Sequence, residues 1–257
     1  MSTPIAAEMY TVRDAADADL AGTLERIAEM GYLGVELVGL HGASSKDFLA
    51  HVERLELAVI GAVLPFPGEP ESEQCHREAV ELGCATGIIM LEEEDFATPE
   101  AVARTAERCN DFAARVRPDG IELLYHNHWW ETTPREDGTV PLVEFAALLE
   151  PEVGLVADIY WVAAGGIDLA ATLTELGSKV RRLHVKDGHL RLPVDPTEPM
   201  TAVGDGKVDI AAALAAAPQA DWHVAELDEY DGDPLDALEQ SYRYLVGGGF
   251  SHGRKPA

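Results

Sequence analysis

Apolar residues alternate along this chain between two rhythms. Short runs read as strands: IAAEMYTV (5–12), GVELVGL (34–40), LAVIGAVL (57–64), GIIML (87–91), GIELLYH (120–126), VGLVADI (153–159), KVRRLHV (179–185) and WHVAEL (222–227). Between them the apolar spacing lengthens to a helical period. Leu20, Leu24, Ile27 and Ala28 share one face of 19–30, and 99–117 and 141–149 repeat the pattern. Asp168 is placed to cap a helix over 169–176, Asp209 stands before 210–217, and Pro234 fits the first turn before 235–246. Gly31, Gly83 and Gly177 follow helical stretches, where a left-handed residue closes the last turn.

Eight strand–helix units in unbroken series predict a parallel sheet covered by helices. Eight such units close a barrel, and 257 residues suit one. The expected fold is therefore a single (β/α)8 TIM barrel over 1–247, with a tail, 248–257, that is flexible or used in a contact. An open doubly wound sheet would want a glycine-rich phosphate turn after the first strand, and the chain reads YTVRDAAD there.

Composition narrows the function classes. A net charge of −27 opposes binding to phosphate backbones, so no nucleic-acid partner is expected. No run approaches the length of a membrane-spanning helix, and the opening residues lack a basic segment followed by an apolar one. Cys75, Cys84 and Cys109 have no metal-finger or paired spacing and read as reduced thiols, which together predicts a cytoplasmic protein without a membrane partner.

In such barrels the chemistry gathers at the C-terminal ends of the strands. The second strand carries Glu36. The fifth ends in His126 and His128, the sixth in Asp158, the seventh in His184, Lys186 and Asp187, and the eighth in Glu226 and Asp228. Two-residue alternation points His126 with His128, His184 with Lys186, and Glu226 with Asp228. Two imidazoles and two carboxylates suit one divalent ion such as Mn2+, Co2+, Zn2+ or Fe2+. Glu36 is either a substrate contact or a hydrogen-bond partner behind a ligand.

At these positions the chain resembles the xylose isomerase-like TIM-barrel superfamily, in its sugar phosphate isomerase and epimerase branch. Relatives there include inosose dehydratases, tagatose and allulose epimerases and dehydroshikimate dehydratases. The resemblance rests on MYTVRD (9–14), MGYLGVEL (30–37), YHNHWWE (125–131), ADIYWVAAGG (157–166), LHVKDG (183–188), VGDGKVD (203–209) and AELDEYDGDPLDALEQSYRYL (225–245), in this order. It implies a divalent metal held by one residue from each of strands five to eight: His126, Asp158, His184 and Glu226. Mn2+ is the first expectation, with Co2+, Zn2+, Fe2+ and Mg2+ as alternatives. Relatives often carry Glu-Asn-His where this chain has His126-Asn127-His128, so one of the two glutamate bases of the epimerases is replaced. The resemblance also implies a small sugar substrate and a homo-oligomer or hetero-complex.

The expected chemistry is removal of a proton beside a metal-polarised carbonyl, giving an enediolate. Reprotonation then isomerises or epimerises the sugar, whereas loss of a β-substituent dehydrates it or cleaves a 3-keto-glycoside; one base instead of two favours elimination, dehydration or isomerisation over epimerisation. Glu226 and His128 are the candidate bases, and Lys186 either neutralises the developing oxyanion or pairs with an acid such as Asp187. Trp129, Trp130 and Trp161 form a sugar-facing wall or ordinary packing. Tyr10, Arg13 and Asn127 are candidate substrate contacts, since Arg suits a carboxylate or phosphate. Two other readings compete: a non-catalytic sugar-binding or partner subunit on the same barrel, and an apurinic endonuclease, which the acidic surface opposes. VGDGKVD lacks the Gly-Lys-Ser/Thr ending of a phosphate loop and reads as the lead into the helix at 210–217.

Overall fold

The computed structural model describes residues 2–191 and 193–256. Eight parallel strands close on themselves: β1 (Thr3–Glu8), β2 (Gly34–Leu37), β3 (Ala58–Val63), β4 (Thr86–Ile89), β5 (Glu122–His126), β6 (Val153–Asp158), β7 (Val180–Val185) and β8 (His223–Ala225). β1 completes the ring by pairing with β2 on one side and β8 on the other. This is the expected single (β/α)8 barrel. Nine α-helices among the described residues accompany the strands: α1 (Arg13–Met30), α2 (Ser45–Arg54), α3 (Ser72–Glu81), α4 (Pro99–Val116), α5 (Pro141–Leu148), α6 (Ile159–Ala164), α7 (Leu169–Leu176), α8 (Ile210–Ala216) and α9 (Pro234–Gly247). None is long and apolar enough to cross a membrane.

Local signals placed most boundaries. Asp168 accepts from Ala171 N and Asp209 from Ala212 N, so both cap as their spacing predicted. Gly31 ends α1 at φ 111°, where Tyr242 leaves no room for a side chain. The first strand departs from expectation. It stops at Glu8, because the Glu8 carboxylate accepts Tyr10 N and turns Met9–Val12 into a 3-10 turn. α1 begins at Arg13, earlier than its apolar period, with a kink at Asp19. The tail adds a short strand, β9 (Ser251–His252), beside β1, and Arg254 N donates to Gly31 O.

Inside the barrel, apolar residues fill one level and polar groups the next. Ile88, Leu124 and Val156 pack together, as do Ala6, Ile60 and Val224. Two residues on from Leu124, Val156 and Val224, the same inward faces carry His126, Asp158 and Glu226. Arg182 also points inward. Its guanidinium donates to Glu36 (2.9 Å), to Ile60 O (2.9 Å) and to Asp221 (2.8 Å). A Cβ at residue 61 would lie 2.8 Å from that guanidinium, which accounts for Gly61 in the middle of β3.

His223 joins β8 to the tail through Ser251 Oγ, 2.8 Å from its Nδ1. Burial pushes its pKa down to about 4. The unfolded chain takes up this proton near pH 6.5, so neutral His223 contributes its full stability above that pH. The contribution is lost as pH falls from 6.5 towards 4, by about 3 kcal/mol in total. Urea unfolding from pH 7.5 to 4 should therefore show a steeper acid loss for the wild type than for His223→Asn. Parallel profiles would refute this assignment.

Candidate metal centre

β5 to β8 deliver four donor groups to one point. One ligand atom each from His126, Asp158, His184 and Glu226 lies within 4.8 Å of the other three, and all four residues are buried. His126 Nε2 is 3.3 Å from Asp158 Oδ2 and 4.0 Å from Glu226 Oε2. His184 Nδ1 is 2.6 Å from Glu226 Oε2. Their outer atoms are anchored elsewhere. Asp158 Oδ1 accepts Trp161 N and starts α6, and His184 Nε2 is bonded to Glu36 Oε1. The inward atoms are left over. His126 Nδ1 and Nε2, Asp158 Oδ2, His184 Nδ1 and Glu226 Oε2 are buried and make no well-directed hydrogen bond. The four that converge have one another and Lys186 within ion-pair distance, and such a buried donor set fits a shared cation.

Charge supports the same reading. Burial, with the His184 and Lys186 cations, pushes His126 down to about 4, so it is a neutral imidazole at pH 7. Burial alone would lower His184, but Glu36 and Glu226 outweigh it and raise it to about 10. An ion bound at Nδ1 would take the place of that proton. Burial also raises Glu226, yet Lys186 and His184 hold it well below the usual carboxylate range. Lys186 Nζ lies 2.9 Å from Asp158 Oδ2, 3.1 Å from Glu226 Oε2 and 2.7 Å from Asp228 Oδ1. These carboxylates overcome its burial and keep the ammonium charged. Asp228 is pushed up to about 6, first by burial and then by the charges of Glu226 and Asp158.

A cavity of about 380 Å3 opens above this cluster. Tyr10, Glu36, His128, Trp129, Trp161 and Lys186 all border it. Glu36 touches it with both oxygens occupied, one by Arg182 and one by His184, as a partner behind a ligand would be. Two expected contacts are elsewhere. Asn127 accepts Asp158 N and donates to His128 O, tying β5 to β6 inside the wall. Arg13 lies over the Tyr10 ring and donates to Tyr10 O, Asp228 O and Glu229. His128 stacks on Trp130, ring centroids 4.3 Å apart, above His126. Asp187 turns away from Lys186. Its carboxylate accepts the backbone N–H groups of Gly188, Gly204, Gly206 and Val208, so VGDGKVD is a loop wrapped around one acid.

Glu8 was not among the sequence candidates. It lines the cavity from the end of β1, in register with Glu36 on β2. Burial, then Glu226 and Glu36, raise its pKa well above the usual range. The period-two pattern pointed to it, but the expected strand ran past it to residue 12.

A closed barrel with a four-donor cluster at the C-terminal mouth defines a class of site, and comparison with known proteins supplies the family. The chain belongs to the xylose isomerase-like TIM barrel family, whose model matches residues 24–246. It is 23% identical over 192 residues to the inosose dehydratase of Mesomycoplasma hyopneumoniae, covering 66% of this chain and 63% of that protein; the match thus spans less than two thirds of the relative's length. Among solved structures, a sugar phosphate isomerase/epimerase from Parabacteroides distasonis superposes with a TM-score of 0.79 at 19% identity, over 98% of this chain and 96% of the other. The IOLI protein, solved with a bound zinc atom, superposes at 0.75 and 16% identity, over 96% and 97%.

Proposed function

We propose that this chain is a divalent-metal-dependent enzyme that acts on a keto-sugar or cyclic polyol ketone. The convergence of four buried donor atoms, from His126, Asp158, His184 and Glu226, carries the reading. A bound divalent ion would supply Lewis acidity, polarising a carbonyl oxygen and acidifying the neighbouring C–H. The residues around it do the rest. Glu226 and His128 are the groups placed to take a proton from a ligand over the cluster, one from the floor and one from the wall. Lys186 places a fixed positive charge at the floor, suited to charge developing on a substrate oxygen. Glu36, held by Arg182, keeps the His184 ring oriented with Nδ1 inward. Trp129, Trp130 and Trp161 narrow access of water from one side.

His126 sits on β5 as a neutral imidazole and has no proton-accepting role once it is a ligand. One of the two metal-site glutamates that a two-base epimerase would use is therefore replaced, and elimination is favoured over two-base epimerisation. The likeness to an inosose dehydratase supports the same direction. A metal-free subunit, in which Lys186 alone bridges Asp158 and Glu226, is the competing reading.

Metal analysis separates them. Protein dialysed against Mn2+, Co2+ or Zn2+ should retain one ion per chain, and EDTA should lower its Tm by several degrees. No retained ion and an unchanged Tm would sink the metalloenzyme. With the ion present, an inosose incubated in D2O should gain deuterium beside its carbonyl or lose water.

A further inference from the structure

The cavity above the cluster is divided. Every cavity-lining side chain contributed by β2, β3 and β4 and the residues just after them is aliphatic or thioether, with the single exception of Glu36: Val38, Val63, Ile88 and Met90. Glu36 is spent on Arg182 and His184. The other polar groups of the lining come from β1, β5, β7 and β8 and the residues after them, among them Glu8, His128 and the ion-paired Lys186, Glu226 and Asp228, with Trp129, Trp130 and Trp161 beside them. Met90 stands at the rim of this wall, 42% exposed.

A bare sugar carries hydroxyls around its whole edge. Seated over the cluster, it would turn some of them to the aliphatic wall, where they lose water and gain no partner. A ligand that is oxygenated on one side and apolar on the other meets no such loss. The 380 Å3 also falls in the range that takes ligands larger than a single small ring.

We infer that the substrate is a glycoside-like molecule: a sugar ring over the polar floor, bearing a ring-sized apolar aglycone that packs on the wall of Val38, Val63 and Met90. This deepens the proposed function and rests on its placing a sugar in this cavity. The apolar wall sets specificity, and the donor cluster does not.

Calorimetric titration of Mn2+-treated protein with phenyl β-D-glucopyranoside and with methyl β-D-glucopyranoside tests it. The phenyl glycoside should bind at least about tenfold more tightly, the gain expected for covering one apolar ring. Met90→Gln and Val63→Thr should each shrink that ratio several-fold. Equal affinities, a ratio untouched by both substitutions, or no binding of either glycoside would overturn the inference. Mn2+ content is read on the same samples. Protein that holds no Mn2+ yet prefers the phenyl glycoside would sink the metal reading and leave this one standing.

Discussion

Glu226→Gln is expected to give a folded barrel that no longer holds a stoichiometric divalent ion and turns over substrate at least about 10³-fold more slowly. Glu226 has two places in the site. Its Oε2 lies 2.6 Å from His184 Nδ1 and 4.0 Å from His126 Nε2, at the centre of the donor cluster. It also faces the cavity as a base. The amide keeps the volume but loses the negative charge and, with it, the basicity needed to take a proton. Circular dichroism should match the wild type, because Lys186 keeps Asp158 and Asp228 as partners. Metal content and kcat/KM are the readouts. A variant that binds Mn2+ within threefold of the wild type would contradict the assigned donor set.

Arg182→Met should have the largest effect on stability, costing about 3–5 kcal/mol, because it leaves the buried Glu36 carboxylate without one of its two cationic partners. The guanidinium is 1% exposed and Glu36 equally so, 2.9 Å apart. Burial raises the Glu36 pKa, and His184 and Arg182 together outweigh it to keep the group ionised. Removing Arg182 leaves His184 as the sole counter-charge. Burying a charge is costly unless it is paired, which is why one partner's loss exceeds the worth of the pair. For a chain of this size the melting point should fall on the order of 10 °C. Arg182→Met combined with Glu36→Gln should recover much of the loss. Urea unfolding measures both, and a single-variant cost under about 1 kcal/mol would show that water or relaxation already satisfies Glu36.

Much of the barrel was legible because its signals are local. An apolar run bounded by glycine or a cap residue needs only its neighbours to be a strand or a helix. α7 matches its expected span of 169–176, and β5, β6 and β7 lie within one or two residues of theirs. Short elements without a period were less legible. α6, six residues long, starts only because Asp158 caps it. β9 exists only because the tail returns to β1.

The sequence alone determined which strands end in candidate donors, and its resemblance to a known family singled out His126, Asp158, His184 and Glu226, one to a strand. Two-residue alternation and eight-fold repetition suffice for the first. Closure of the barrel decided the rest. It set Arg182 across the interior onto Glu36, placed Lys186 among three acids, moved Asn127 and Arg13 out of the cavity, and brought Glu8 into it. These contacts join residues up to 215 positions apart. Their partners follow from strand register around a closed sheet, which no local pattern of apolar and polar residues encodes.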